Sequence, residues 1–288
     1  MAGKQTPNGK KVHIYPTPPK NFDPFAATEK DLMKHGLPPR PDPRTQPGIA
    51  ALWDRLAARY RYFDHIEPQL DTTTAAGKAV TPHGLGPDPI ESCGYQLLGS
   101  TAAPFTILFV TWTVPDLQFT PSPLGLDYFH TFVGLGFLDL HVEMTVDTAQ
   151  NVTSQIWAQS VGNINLPVRP GDVISASLCL QTNQAGTASY FLTNETTAQT
   201  INFTVPTGFP PAVAVNAGVT RSWPLNQPFP PLARFGVVYF DEISAYTTSG
   251  SQSLTSGQAI TMVDQNNRTL AEPVKLTDFA FKTLFISA

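Results

Sequence analysis

The sequence has little charge. Asp, Glu, Lys and Arg make up 14% of its 288 residues. There is no basic excess: 18 Lys and Arg stand against 22 Asp and Glu, for a net charge of −4. Nothing in that balance neutralises phosphates, so no nucleic-acid partner is expected. No apolar run approaches the ~18–20 residues of a membrane span, so no membrane partner is expected either. The first residues, M-A-G-K-Q-T-P-N-G-K-K, are polar and lack the apolar core of a secretory signal. The expected location is cytoplasmic. Cysteine is almost missing. Cys93 and Cys179 read as two free, buried thiols rather than a bridge. No P-loop, G-x-S-x-G, H-E-x-x-H or C-x-x-C occurs. The stretch G-L-G-F-L (134–138) lacks the third glycine of a dinucleotide fingerprint. No cofactor and no metal are expected.

Proline is abundant, with 28 residues that crowd the first fifty positions and recur in loops. This favours a loop-rich β protein. Residues 1–48 read as a Pro-rich, extended leader with one short helix. Thr28 caps that helix, Asp31 sits in its first turn and Gly36 stops it. Residues 49–90 read as an amphipathic helix and a loop. Ile49, Leu52, Trp53, Leu56, Tyr60 and Phe63 form one stripe at helical spacing over 49–63, with Arg55, Arg59 and Arg61 elsewhere on its surface. That stripe docks the helix on the β domain or on a neighbouring subunit. Residues 91–288 carry about ten short β-rich runs between Gly, Pro and Asn turns. Their spacing predicts an antiparallel β-sandwich of the jelly-roll or concanavalin kind, with two bent sheets.

One run is chemically dense. In D-L-H-V-E (139–143), Asp139, His141 and Glu143 alternate with Leu140 and Val142 and share one face of a strand. The face can be a carboxylate acid–base site, a metal site or a polar groove without chemistry. The remaining histidines, His13, His35, His65, His83 and His130, are scattered, and none is expected to pair in register with a second ligand. Of the tryptophans, Trp112, Trp157 and Trp223 suit either a core or a groove.

Several stretches in order resemble the glutamic peptidases (eqolisins, peptidase family G1), especially bacterial members. They are the leader 21–42, T-W-T-V-P-D (111–116), F-V-G-L-G (132–136), S-Q-I-W-A-Q-S-V (154–161), R-P-G-D-V-I (169–174), V-N-A-G-V-T-R-S-W (215–223) and A-R-F-G-V-V-Y-F (233–240). The resemblance implies a bent sandwich whose concave sheet carries a catalytic Gln/Glu dyad. It places Glu143 at the glutamine position and Ser222 at the glutamate position. It places Gly94 at an early tryptophan, Phe132 at the groove tryptophan and Gln159 at a groove glutamate, while Trp157 is retained. Asp139 and His141 line the same groove.

In the mechanism this implies, glutamate activates water and the glutamine amide stabilises the oxyanion. A carboxylate at position 143 offers no amide donor, and Ser222 is no base. The expected function is a non-catalytic binding or assembly scaffold, whose groove takes a peptide, another polymer or a further protein subunit, with a homo-oligomer possible. The alternative is a hydrolase, acid endopeptidase or glycan-cleaving, rebuilt around Glu143 with His141 or Asp139. A structural, filament-forming role is a third possibility.

Overall fold

The computed structural model describes residues 12–71, 91–122, 125–158, 160–180, 186–208, 210–221 and 231–288. Ahead of the sandwich lie β1 (His13–Ile14), α1 (Glu29–Lys34), α2 (Pro47–Tyr60), β2 (Asp64–His65) and β3 (Leu70–Asp71). Then follow β4 (Ser92–Leu98), β5 (Phe105–Thr113), β6 (Leu126–Leu135), β7 (Leu138–Asp147), β8 (Val152–Ala158) and β9 (Gly162–Ile164). Next come β10 (Val173–Leu180), β11 (Thr187–Asn194), β12 (Gln199–Pro206), β13 (Ala214–Thr220) and β14 (Val237–Thr247). The last are β15 (Gly250–Gln252), β16 (Gln258–Ile260), β17 (Met262–Val263), β18 (Thr269–Lys275) and β19 (Phe281–Phe285).

They form two sheets. One runs β16-β4-β13-β6-β7-β8-β9-β3, and the other β1-β12-β11-β10-β5-β14-β19-β18-β17 with β2 and β15 at its sides. Pairing is antiparallel except for β2 on β12. This is the β-sandwich the alternation predicts. The inner faces meet in one apolar cluster that includes Leu140, Val142 and Met144 of β7 and Ile174, Ala176 and Leu178 of β10. Cys93 and Cys179 are free, on different sheets, the first buried and the second half-buried. Among the described residues no helix is long and apolar enough to cross a membrane.

The helices show why local rules matter. The Thr28 hydroxyl accepts from the Asp31 N–H at 3.2 Å, as a cap should. α2 starts at Pro47, two residues before the expected Ile49, because proline at the first helical position has its φ already set. It stops at Tyr60 rather than Phe63, since Asp64 must donate to the Ala198 carbonyl at 2.7 Å to open β2. α2 lies over the outer face of the larger sheet. The Tyr246 hydroxyl donates to the Gly48 carbonyl at 3.0 Å. Arg55 and Arg59 are not simply solvated: they reach Glu242 at 3.7 and 3.3 Å. Glu242 sits at a β-bulge with φ of 53°, a left-handed conformation that is uncommon outside glycine.

Asp127 at the start of β6 is fully buried, and its Oδ2 accepts from the Thr120 N–H at 2.6 Å. Burial raises its carboxyl above the ordinary value, against the pull of Thr120 and the Ser122 hydroxyl. A raised folded value means that the fold favours the protonated form. This stabilisation is complete below the unfolded value, about pH 3.9, and is lost as pH rises through the folded one. Asp127→Asn keeps the acceptor for Thr120. It is expected to change stability little at pH 4 and to raise it at pH 7, as read by urea unfolding at both.

Candidate functional site

The face of interest is fixed by one hairpin. β6 and β7 are joined through Gly136 and Phe137, with Leu135 opposite Leu138. Gly136 has φ of 59°, which a two-residue hairpin favours at this place and which only glycine adopts freely. That register turns Leu138, Leu140, Val142, Met144 and Val146 inward and sends Asp139, His141 and Glu143 to the outer face. A slip of one residue would exchange the two sets.

The neighbouring strands complete the face. Phe132 lies opposite His141 and His130 opposite Glu143 on β6. Trp157 lies opposite His141 and Gln155 opposite Glu143 on β8. His130 is thus in register with a carboxylate, contrary to the expectation that no other histidine would be. The hairpin register that sets Leu135 against Leu138 also sets His130 against Glu143, and neither strand shows that pairing alone. The face is not washed by solvent: Asp139, His141 and Glu143 are 6%, 2% and 7% exposed. Phe132 and Trp157 are also buried. Trp112 belongs to the core between the sheets, whereas Trp223, Ser222 and Gln159 lie outside the described residues.

Two polar pairs organise the face. His141 Nε2 and Asp139 Oδ2 are 3.0 Å apart. The His141 ring is edge-on to Trp157, with centroids 5.6 Å apart, and edge-on to His130 at 5.7 Å. The second pair is Gln155 and Glu143: the Gln155 amide donates to Glu143 Oε2 at 2.9 Å. Gln155 Oε1 in turn accepts from the Asn163 amide at 3.1 Å. From the other sheet, Tyr190 donates to the Asp139 carbonyl at 3.5 Å and shares a 3.0 Å hydrogen bond with Ser160. Burial pushes the Tyr190 phenol far up, so it acts here as a neutral group.

Gln155 was not singled out by sequence. Its signal is its place two residues before Trp157, which puts both on one face of β8.

The carboxylates of the paired strands on this face are widely spaced. Asp139 and Asp147 each lie four residues from Glu143 along β7, or ~13 Å at the usual rise of an extended chain. Asp71, on β3, is three strands away in the sheet order. Two carboxylates that share one glycoside hydrolysis stand roughly 5–10 Å apart. Among the described residues no group of three His, Cys, Asp or Glu side chains is arranged to hold a metal ion.

Comparison with known proteins gives a consistent fold. The profile of the Peptidase A4 family matches residues 91–279. Scytalido-glutamic peptidase, solved with a transition-state analogue inhibitor, superposes with a TM-score of 0.54 at 16% identity over 68% of this chain and 98% of that one. SCP-B, described as a member of the eqolisin family of peptidases and solved with the tripeptide Ala-Ile-His, gives 0.51 at 18% identity over 68% and 98%. No curated protein matches the sequence.

Proposed function

The chain belongs to the Peptidase A4 family, that of the glutamic peptidases or eqolisins, and on that premise we propose that it is a non-catalytic member acting as a binding or assembly scaffold. One observation carries this reading. Glu143, at the position where the resemblance implies the catalytic glutamine, is a 7% exposed carboxylate that accepts the Gln155 amide. An ionised carboxylate repels an oxyanion instead of donating to it. The amide beside it spends one of its N–H groups on that carboxylate, and the Ser222 position offers no base. Loss of one oxyanion donor costs ~10²–10³ in rate.

The surface supports assembly. Val237 and Tyr239 of β14 are 37% and 48% exposed, and Ile286 just beyond β19 is 47% exposed. β14 and β19 are neighbours in the larger sheet, so these side chains can contribute to one apolar area of the kind partners cover. Size in solution reads this directly: an assembly larger than one chain is expected for the wild type, and a monomer for Tyr239→Glu.

A second reading has one observation in its favour. A glutamate and a glutamine, the residue types of the family dyad, do stand 2.9 Å apart as Glu143 and Gln155. A hydrolase rebuilt on that pair remains the competitor. Against its glycan-cleaving form stands the ~13 Å backbone separation of Glu143 from Asp139 and Asp147 along β7. Cleavage of a denatured protein between pH 2 and 8, wild type beside Glu143→Ala, decides between them. No cleavage by either protein is expected. Cleavage by the wild type that vanishes in Glu143→Ala would overturn the scaffold reading.

A further inference from the structure

The space beneath α2 has a floor that a simply packed helix would not choose. On β10, β11 and β12 the positions turned towards α2 include Ser175, Ser177, Ser189, Thr193, Thr200 and Thr204, with Cys179 and Phe191 between them. The same strands send Ile174, Ala176, Leu178, Leu192, Ile201 and Phe203 inward, to the core. The strands can therefore carry large apolar side chains, yet on this face, Phe191 apart, most positions carry small hydroxylated ones. The roof is the opposite: Leu52, Leu56 and Phe63 point down from the helix and its C-terminal turn. Between roof and floor, and continuing beside residues 38–41, lies a partly open pocket of about 1120 Å³. Protein interiors are close-packed, and ligand pockets run to roughly 300–1,000 Å³. A space of this size is a pocket, not a packing defect.

Its chemistry restricts what can enter. The hydroxyls are partly engaged with one another: Ser189 with Thr204 at 3.1 Å, Thr193 with Thr200 at 3.0 Å, and Thr204 with Tyr15 at 2.8 Å. Each hydroxyl oxygen has two lone pairs as well as its proton, so capacity remains for a guest's oxygen or O–H. Charge is already spoken for. Arg59 is 3.6 Å from Glu195 and 3.3 Å from Glu242, and Arg40 holds Asp54 through two 2.6 Å contacts. These charges balance in pairs, so an ionic headgroup would meet no unmatched counter-charge here.

We propose that this cavity is a binding site for an uncharged amphiphile, a long apolar body bearing a hydroxyl or carbonyl group, with the apolar part against α2 and the oxygen on the hydroxyl floor. The site lies on the outer face of the larger sheet. It is separated by the whole core from the Glu143 face and independent of what that face does.

Cys179 stands in the cavity wall, while Cys93 is fully buried on the other sheet. Burial pushes the Cys179 thiol up to about 11, so its reaction with Ellman's reagent is slow and best followed near pH 9. Three measurements on the full chain test the proposal. Nile red should bind saturably at one per chain. 1-Dodecanol should displace it at concentrations at least tenfold lower than dodecanoate needs, and should slow Cys179 labelling tenfold or more. Ser177→Leu, which fills the floor, should abolish dye binding. Absence of saturable dye binding, equal displacement by dodecanoate, or dye binding unchanged in Ser177→Leu would each overturn the proposal. If Ser177→Leu does not fold, protection of Cys179 in the wild type decides alone, and labelling unaffected by 1-dodecanol overturns it.

Discussion

Replacing Trp112 by alanine is expected to lower the unfolding free energy by about 3–5 kcal/mol, the range for a buried aromatic truncated in a core. Trp112 is 1% exposed on the inner face of β5. Its neighbours in the ladder are Ile174 of β10 and Phe240 of β14. Its indole N–H crosses the core and donates to the Thr131 hydroxyl at 2.9 Å, on β6 of the other sheet. The loss therefore has two parts, a cavity and a severed link between the sheets. Thr131→Val separates them. It keeps the indole and leaves its buried N–H without this acceptor, at about 1–3 kcal/mol. Trp112→Phe should fall between the two. Urea unfolding at neutral pH, with the slope unchanged and the midpoint shifted, measures all three. A midpoint for Trp112→Ala within error of the wild type would show that the indole does not hold the sandwich.

The second large effect is expected at a pair of glycines. Gly94 of β4 lies directly opposite Gly218 of β13. A Cβ on Gly94 would run into the Ala217 carbonyl oxygen, and one on Gly218 into the Cys93 carbonyl oxygen. Both obstacles are backbone in the middle of a sheet, which cannot rotate aside as a side chain can. Gly94→Ala and Gly218→Ala are each expected to cost about 3 kcal/mol or more, at the upper end for overpacking. Thermal melts beside Gly171→Ala sharpen the comparison. At Gly171 a Cβ would meet nothing within 4 Å, and only its φ of 89° resists the change. Equal melting temperatures for Gly94→Ala and the wild type would contradict the close approach of β4 and β13. The same contact bears on the resemblance. The tryptophan implied at position 94 has no room while these strands pair as they do. Here β4 closes on β13 at the position where the resemblance implies a large side chain.

The sandwich was legible where the alternation is clean. L-D-L-H-V-E-M-T-V-D (138–147) spells both faces of β7, and the α2 stripe spells its helix. Other strands were hidden for physical reasons. β4 carries a glycine that packs backbone on backbone, so its sequence shows no regular alternation. β18 contains Pro273, which reads as a breaker. It is tolerated because it pairs with Thr283 on one side, while β17 reaches only as far as Ala271 on the other. The run 258–263 reads as one strand but divides between two sheets, β16 joining β4 and β17 joining β18. At the site, the alternation gave Asp139, His141 and Glu143 a shared face. The Gln155–Glu143 pair and the place of His130 follow from register between strands, and register is set by Gly136 and by pairings that no single segment encodes.

The position of α2 has a consequence in time. Tyr15 meets Thr204, 189 positions further along the chain, and the floor beneath the helix is made of β10, β11 and β12. A ribosome adding roughly 5–20 residues per second needs roughly 10–40 s to deliver that surface. A lone 14-residue helix is marginal in water, so over that interval its apolar stripe is exposed and its turns unravel and reform. The brace is synthesised well before the strands it covers and can settle only after them. Whatever shields that stripe while the sheet is being made shares in the folding of this protein.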